Sequence, residues 1–590
     1  MLLIVAPLAA IGSVCHDDFT SWDDSYTLRD NPTMNPVTWE SVRSWWTAPF
    51  MDLYVPLTYT TWGMIAVFAR VPAAAGESAH LNPIPFHTAN LILQLLAVQV
   101  VFQLLRALIG KTWPSAAGAL LFGLHPVQVE AVAWASGLKD VLAGLLALMS
   151  VWQYVLAVRT SEDNPRGAIW RWRYAAAVLF YVLAMLAKPG AVVVPVIAWT
   201  VDCMLLGRSW KSALRWLWPW LVLAAGGASE TFLVQGVHVD QNNVAVYLRP
   251  LLALDSIAFY LGKLFWPAHL TIDYGLRPGV MIREPLLAVK CVLIASVCVL
   301  IWLLGRRGRA PFASAILFVV PLLPVLGLVT FDFQSYSNVA DHYLYLSMFG
   351  AAMALAWICR RWSRWPVFAA VAVVLASLGW ASRVQAQYWK DSPTLLRHEM
   401  TINSESPTVY SFLAREYLNH KDYSSAIVYA KHALRLDPDD PKAHITLGQA
   451  LWQKDEKSEA MEQFQAGLRV IPDDIDGLEG LARGMLELGR LDDAESLIRR
   501  ELESDPELAE AHFDLGSILY RKHELPEAIG ELQLAVRRVP DRVQFHIVLA
   551  KALEAAGQNQ AALAQFKVAM ELEPKSAEAA AGIRRLGAGK

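Results

Sequence analysis

The stretch PTVYSFLAREYLNHKDYSSAIVYAKHALRLDPDD, residues 407–440, decides the reading of the C-terminal third, because its landmarks return every 34 residues. Prolines stand at Pro438, Pro472, Pro506, Pro540 and Pro574. Ala426, Ala460, Ala494, Ala528 and Ala562 keep the same interval, as small residues must where the two helices of a repeat pack closely. Leu413, Leu447, Leu481, Leu515 and Leu549 supply the matching apolar position on the first helix. Three columns in phase at this interval are the signature of tetratricopeptide (TPR) helical hairpins. Five repeats are expected from about 407 to 576, with 577–586 as a capping helix.

Upstream of this solenoid the chain changes character. Of its 590 residues 55% are hydrophobic and only 18% charged, too apolar for an ordinary soluble protein, and a membrane is the natural solvent for the excess. Apolar segments near 2–15, 88–107, 114–131, 138–158, 174–187, 190–206, 216–234, 286–304, 311–331, 342–359 and 366–382 give about 11 expected spans. Basic residues collect in alternate loops: Lys111; Arg159, Arg166, Arg171 and Arg173; Arg208, Lys211 and Arg215; Arg306, Arg307 and Arg309; Arg360, Arg361 and Arg364. The positive-inside rule places those loops in the cytoplasm. Keeping that alternation makes 251–266 and 54–71, the latter with Pro56 and Gly63, interfacial and not spanning. The first 14 residues lack a basic n-region and read as a truncated first span.

The expected fold is therefore all-α. A polytopic membrane domain occupies 1–385, with a first extracytoplasmic loop at 16–87; a linker follows at 386–406, and the TPR domain runs over 407–590 on the outer side. A net charge of −3 with no basic block argues against a nucleic-acid partner. Cys15, Cys203, Cys291, Cys298 and Cys359 all lie in or beside apolar runs, which argues against a disulfide framework.

The sharpest candidate site is the loop after the first apolar segment, where Asp17, Asp18, Asp23, Asp24, Asp30, Glu40 and Asp52 face only Arg29 and Arg43. Adjacent acids at a membrane surface can have one pKa raised toward that of a general base, by partial desolvation and mutual repulsion. A bare Asp-Asp pair is more often a solvated loop. The topology, however, brings His87, Asn90, His125, Glu130, Lys139, Asp140, Lys188, Asp341 and His342 to the same outer face. Ionisable residues at membrane depth are costly and tend to be functional, although each taken singly reads equally well as a snorkelling or paired interfacial group. Trp45, Trp46, Trp62 and Trp134 could stack on a sugar, but tryptophan is also the ordinary belt residue at a membrane interface. No Walker loop, His-Glu-x-x-His, Cys-x-x-Cys or Gly-x-Ser-x-Gly motif is present, and no spacing marks a metal site.

The segment FGLHPVQVEAVAWASGLKDVL at 122–142, with SWDDSYTLRDNP at 21–32, YVPLTY at 54–59, FHTANL at 86–91, MLAKPGAVVVP at 185–195, LFWPAHLTIDY at 264–274, ADHYLYL at 340–346 and QYWKDSPTLLRH at 387–398, resembles the TMTC-type (transmembrane and tetratricopeptide-repeat containing) proteins and their bacterial relatives. These belong to the GT-C superfamily of polyprenyl-phosphate-sugar glycosyltransferases. The resemblance implies inverting transfer of a sugar, mannose in eukaryotic members, from a lipid phosphate to a Ser or Thr hydroxyl outside the cytoplasm. It implies a base in the first outer loop, matched by Asp23 and Asp24. Donor and phosphate contacts would come from His125, Glu130, Lys139, Asp140, Lys188, Asp341 and His342. The family often carries Arg two positions before the acid matched by Asp140; Leu138 stands there, so a two-cation phosphate clamp does not carry over intact. With a lipid phosphate as leaving group no metal or other cofactor is expected.

The expected partners are membrane lipids, a polyprenyl-phosphate sugar and an acceptor polypeptide in the TPR groove. The alternative is a membrane-anchored TPR scaffold or assembly chaperone without catalysis. High Ala, Leu and Arg usage suggests a bacterial inner membrane with a periplasmic solenoid; a eukaryotic source would mean the endoplasmic reticulum and its lumen.

Overall fold

The computed structural model describes residues 1–50, 53–72, 79–235, 244–306 and 308–587, so Asp52 and Arg307 lie outside the described residues. The chain forms two compact units, Met1–Ser404 and Glu405–Lys590.

Among the described residues of the first unit, seven helices are long and apolar enough to cross a membrane: Ile84–Ile109, Ala135–Asp163, Ile169–Ala187, Pro189–Leu206, Trp210–Val234, Leu287–Gly305 and Trp365–Gln387. An eighth apolar element, Thr112–Leu124 with Pro126–Ala133, is bent by 54°. The remaining three of the eleven expected spans are shorter. Leu2–His16 and Ala310–Val325 are brief apolar helices, and 342–359 divides into a tight turn at Asp341–Leu344 and the 14-residue helix Met348–Arg361. That helix is roughly 21 Å long, against a ~30 Å hydrocarbon core. It is an interior element: a Cβ on Gly118 would lie 2.4 Å from the Ala352 carbonyl oxygen, and one on Gly350 would lie 2.4 Å from the Phe318 nitrogen. The two segments read as interfacial form the helices Pro56–Ala69 and Arg249–Phe265, of 14 and 17 residues.

Two of the basic loops meet at one end of this unit. Arg159 donates to the Ala107 carbonyl and Arg360 to that of Ile109 at 2.7 Å. Both receivers lie in the last turn of Ile84–Ile109, which closes on Gly110 in the left-handed conformation (φ 75°). The other end of that helix, about 39 Å away at 1.5 Å per residue, holds His87, whose Nε2 meets the Asp18 carbonyl at 3.3 Å.

The 16–87 loop folds onto this second end. Phe19, Leu28, Trp45, Tyr59 and Trp62 form a core with Phe86, Ala135 and Leu138. Trp62 and Trp45 are thus packing residues, and of the four candidate tryptophans only Trp46 is exposed.

Residues 386–404 do not form the expected linker. The helix Ser392–Ile402 starts on an Asp391 cap and belongs to the first unit. Trp389, Leu395 and Leu396 are buried, and the Ser392 hydroxyl accepts from the Ser21 N–H at 2.9 Å. The Glu399 carboxyl receives the Ile272 and Asp273 N–H groups, both at 3.1 Å, and the Thr271 hydroxyl. Burial pushes the Glu399 carboxyl from its ordinary 4.5 up to about 8, against these donors. A carboxyl raised in the folded state contributes most below its unfolded pKa, and that contribution is lost as pH rises through the folded value. Amide protection of 271–273, corrected for intrinsic exchange, is expected to fall as pH rises from the ordinary 4.5 to about 8. Hydrogen-exchange mass spectrometry checks this, and Glu399→Gln should flatten the dependence.

The second unit consists of five helical hairpins, Pro407–Asn419 with Tyr423–Leu436 through Val543–Ala555 with Asn559–Leu572, followed by Ala577–Gly587. All five column alanines are fully buried, and the column leucines are at most 7% exposed. The structure also shows what the periodic prolines do. The carbonyls of Pro438, Pro506 and Pro540 meet Nε2 of His444, His512 and His546 at 2.9, 3.1 and 2.9 Å. Nδ1 of each ring meets a side chain 19 residues on: Gln463, Glu531 and Gln565. In the third repeat the equivalent positions are Leu478 and Leu497, an apolar pair replacing a polar one. His512→Leu alone should therefore destabilise the solenoid by about 1–3 kcal/mol, because Glu531 loses its partner in a half-buried site. Adding Glu531→Leu should recover part of that loss, as thermal unfolding of the full chain would show.

Candidate functional site

The two adjacent acids have different surroundings. Asp24 is fully buried. Its Oδ2 accepts from the N–H and hydroxyl of Thr20, both at 2.9 Å, and its Oδ1 from the N–H and hydroxyl of Ser136 at 2.8 and 2.5 Å. Burial pushes its pKa up against the pull of these donors and of His87. Desolvation is therefore the leading cause, and the neighbouring acid is not among the causes. Four donors occupy this carboxylate, which staples the outer loop to the turn opening the helix Leu138–Asp163.

That turn is tight. A Cβ on Gly137 would lie 2.3 Å from the Ala131 carbonyl oxygen. Asn90 holds it from below, its amide donating to the Trp134 carbonyl at 2.7 Å. Fixed in this way, the turn presents Lys139, whose ammonium lies 4.9 Å from the Trp134 ring centre and 3.7 Å from Oδ2 of Asp23. The Asp23 side chain is 33% exposed, so of the pair it is the one open to a substrate.

Next to Lys139, the buried Asp140 pairs with Lys188, whose ammonium lies 5.6 Å from the Tyr343 ring centre. The charges of Asp140, Glu130 and Asp23 all bear on the Tyr343 phenol. Glu130 grips His342 twice, through Nδ1 at 2.8 Å and the backbone N–H at 3.0 Å. Nε2 of His342 has no hydrogen bond among the described residues. Asp140, Lys188, His342 and Tyr343 form the polar head of a groove whose continuation, past Ala143, Gly144, Ala147, Pro324 and Leu346, is apolar. Positions 140, 143, 144 and 147 share one helix face.

Two of the expected residues stand apart from this head. Asp341 is buried and accepts from the Tyr274 hydroxyl at 2.9 Å; burial and the nearby Glu130 raise its pKa well above the usual carboxylate range. It fixes the 268–274 loop, together with Lys263, which donates to the Ala268 and His269 carbonyls. His125, expected at the phosphate, is instead a cap: Nδ1 faces the Val127 N–H at 3.4 Å and Nε2 the Leu264 carbonyl at 3.0 Å. Both of its nitrogens are committed to backbone. Tyr343 and Ser136, which sequence reasoning missed, lie inside the segments 340–346 and 122–142, and the full burial of Ser136 and the half-burial of Tyr343 at the site are properties of the fold alone.

The fold and this arrangement define a membrane protein with a polar site at the head of an apolar groove and a TPR solenoid. The tetratricopeptide-repeat family matches residues 417–484 and 480–543. The human protein O-mannosyl-transferase TMTC3 is 21% identical over 94% of this chain and 66% of its own length. The Drosophila melanogaster Tmtc3 is 21% identical over 86% of this chain and 65% of its own. Among solved structures, the TPR protein YrrB, with 20% identity and a TM-score of 0.29, matches 32% of this chain and 96% of its own. The chain is thus similar to TMTC-type proteins over most of its length, and it spans 60–66% of the length of these TMTC3 relatives, the mouse protein included.

Proposed function

We propose that this protein transfers a mannose-type sugar from a polyprenyl-phosphate donor to a Ser or Thr hydroxyl of a polypeptide held by the solenoid. The observation that carries the reading is an open carboxylate, Asp23, paired with Lys139, which directly precedes Asp140 of the Asp140–Lys188 pair at the head of an apolar groove. A prenyl chain suits the apolar continuation, and a phosphate suits Lys139, Lys188 and Nε2 of His342. The acceptor oxygen attacks the anomeric carbon opposite the phosphate, forming the new C–O bond as the bond from that carbon to the phosphate oxygen breaks. Asp23 takes the hydroxyl proton, and the polyprenyl phosphate leaves as the anion. A hydroxyl of high pKa needs such a base within hydrogen-bond reach. Asp24, Glu130 and Asp341 are positioning residues; they hold the turn, His342 and the 268–274 loop.

The placement of Arg159 and Arg360 at the far end of Ile84–Ile109, together with the alternation of basic loops in the sequence, supports an orientation with Asp23 outside the cytoplasm. In a bacterium that is the periplasmic face of the inner membrane, and in a eukaryote the lumenal face of the endoplasmic reticulum. Reconstituted membranes given radiolabelled mannosyl-phosphoryl-polyprenol and acceptor polypeptides should label protein, whereas a nucleotide sugar alone should not. Labelling from the nucleotide sugar only would overturn the lipid-donor reading; no labelling from either would favour the non-catalytic scaffold.

A further inference from the structure

The second helix of each repeat carries a further periodic position, occupied by Ala433, Gly467, Glu501, Ala535 and Ala569. The three alanines are fully buried, and a Cβ at Gly467 would already lie 2.7 Å from the Ile445 side chain. The position has room for a methyl group or less, yet the third repeat places a glutamate there. Glu501 is 3% exposed, and no described residue gives its carboxyl a hydrogen bond or ion pair.

The Glu501 carboxyl sits within the electrostatic reach of other acids. Glu479, Asp514, Asp476 and Asp505 all bear on it, and Asp476 and Glu479 line the groove of this unit. The cations nearby are already engaged: Arg415 pairs with Asp476 at 2.8 Å and Arg483 with Glu479. Asp514 makes no ion pair among the described residues and feels Arg483 only at a distance. Burial, aided by these like charges, pushes Glu501 up to about 8 and Asp514 up to about 6. A carboxyl buried among carboxyls is unfavourable until a cation enters.

We propose that the notch formed by Glu501, Glu479 and Asp514, between the first helices of the third and fourth repeats, receives the ammonium or guanidinium of a lysine or arginine in a polypeptide lying along the groove. The proposal rests on reading the groove as a polypeptide-binding surface and is independent of the transferase chemistry.

The test is an array of immobilised dodecapeptides with random flanks and one fixed central residue, probed with the full-length detergent-solubilised protein and with E501A and E501Q. Wild type should retain peptides fixed at Lys or Arg about tenfold better than those fixed at Gln or Glu. Both variants should lose that preference, while E501A, which restores the small residue, unfolds no earlier than wild type. Peptide binding without a Lys or Arg preference in wild type, or a preference unchanged in both variants, would overturn the notch and leave the groove standing. No peptide binding at all would overturn both.

Discussion

Asp23→Asn is expected to lower turnover in sugar transfer about a thousandfold, within the range that positioned general bases supply, while leaving the donor KM within about twofold. The substitution keeps shape and polarity, and the native side chain is 33% exposed with one ion pair among the described residues, to Lys139 at 3.7 Å, so the fold should survive. Asp24→Asn should act differently. An amide nitrogen would meet either the Thr20 or the Ser136 donors that the carboxylate now accepts, leaving one set unsatisfied at about 1–3 kcal/mol. Hydrogen exchange should then rise in 18–30 and 134–140 together, and activity should fall because Lys139 is no longer held. Steady-state kinetics with exchange mapping separates the two acids. Equal structural damage in both variants would remove Asp23 from the role of base.

Lys188→Met is the second large effect. Lys188 stands at the groove head and neutralises Asp140, which is buried. Removing one partner of such a pair leaves an unpaired buried charge and typically costs about 3–5 kcal/mol. It also removes a cation from the proposed phosphate, lowering kcat/KM about a hundredfold in the surviving protein. The double variant Lys188→Met, Asp140→Asn should recover thermal stability without recovering transfer. If the double variant regains activity, Lys188 serves only the pair and not the phosphate.

The solenoid was legible in the sequence because each repeat must bury the same alanine and leucine positions, and the 34-residue interval displays that requirement directly. What was not legible is that Pro438, Pro506 and Pro540 also present carbonyls to histidines, a contact at six-residue separation with no periodic signal beyond the histidines themselves. In the membrane unit, hydropathy located the apolar segments but not their lengths as helices. Thr112–Leu124 and Pro126–Ala133 break at His125–Pro126, and Met348–Arg361 is shortened by the turn that carries Asp341 and His342. The segment 386–406 reads as a linker because it is polar, yet one tryptophan and one buried carboxyl fasten its 386–404 part to the first unit. The candidate site residues stand out as a group in the sequence because ionisable side chains contrast with apolar surroundings. Their separate roles were not legible, since Asp23 and Asp24 differ only in burial, and His125 and His342 only in whether a ring nitrogen is left over.

The most direct measurement is mass spectrometry and NMR of a synthetic Ser/Thr acceptor polypeptide after incubation with mannosyl-phosphoryl-polyprenol and proteoliposomes of the full chain. The account predicts one added hexose per modified hydroxyl, with an anomeric configuration opposite to that of the donor and dependent on Asp23. A folded protein that binds the acceptor yet adds no hexose, or a product that retains the donor configuration, would contradict it.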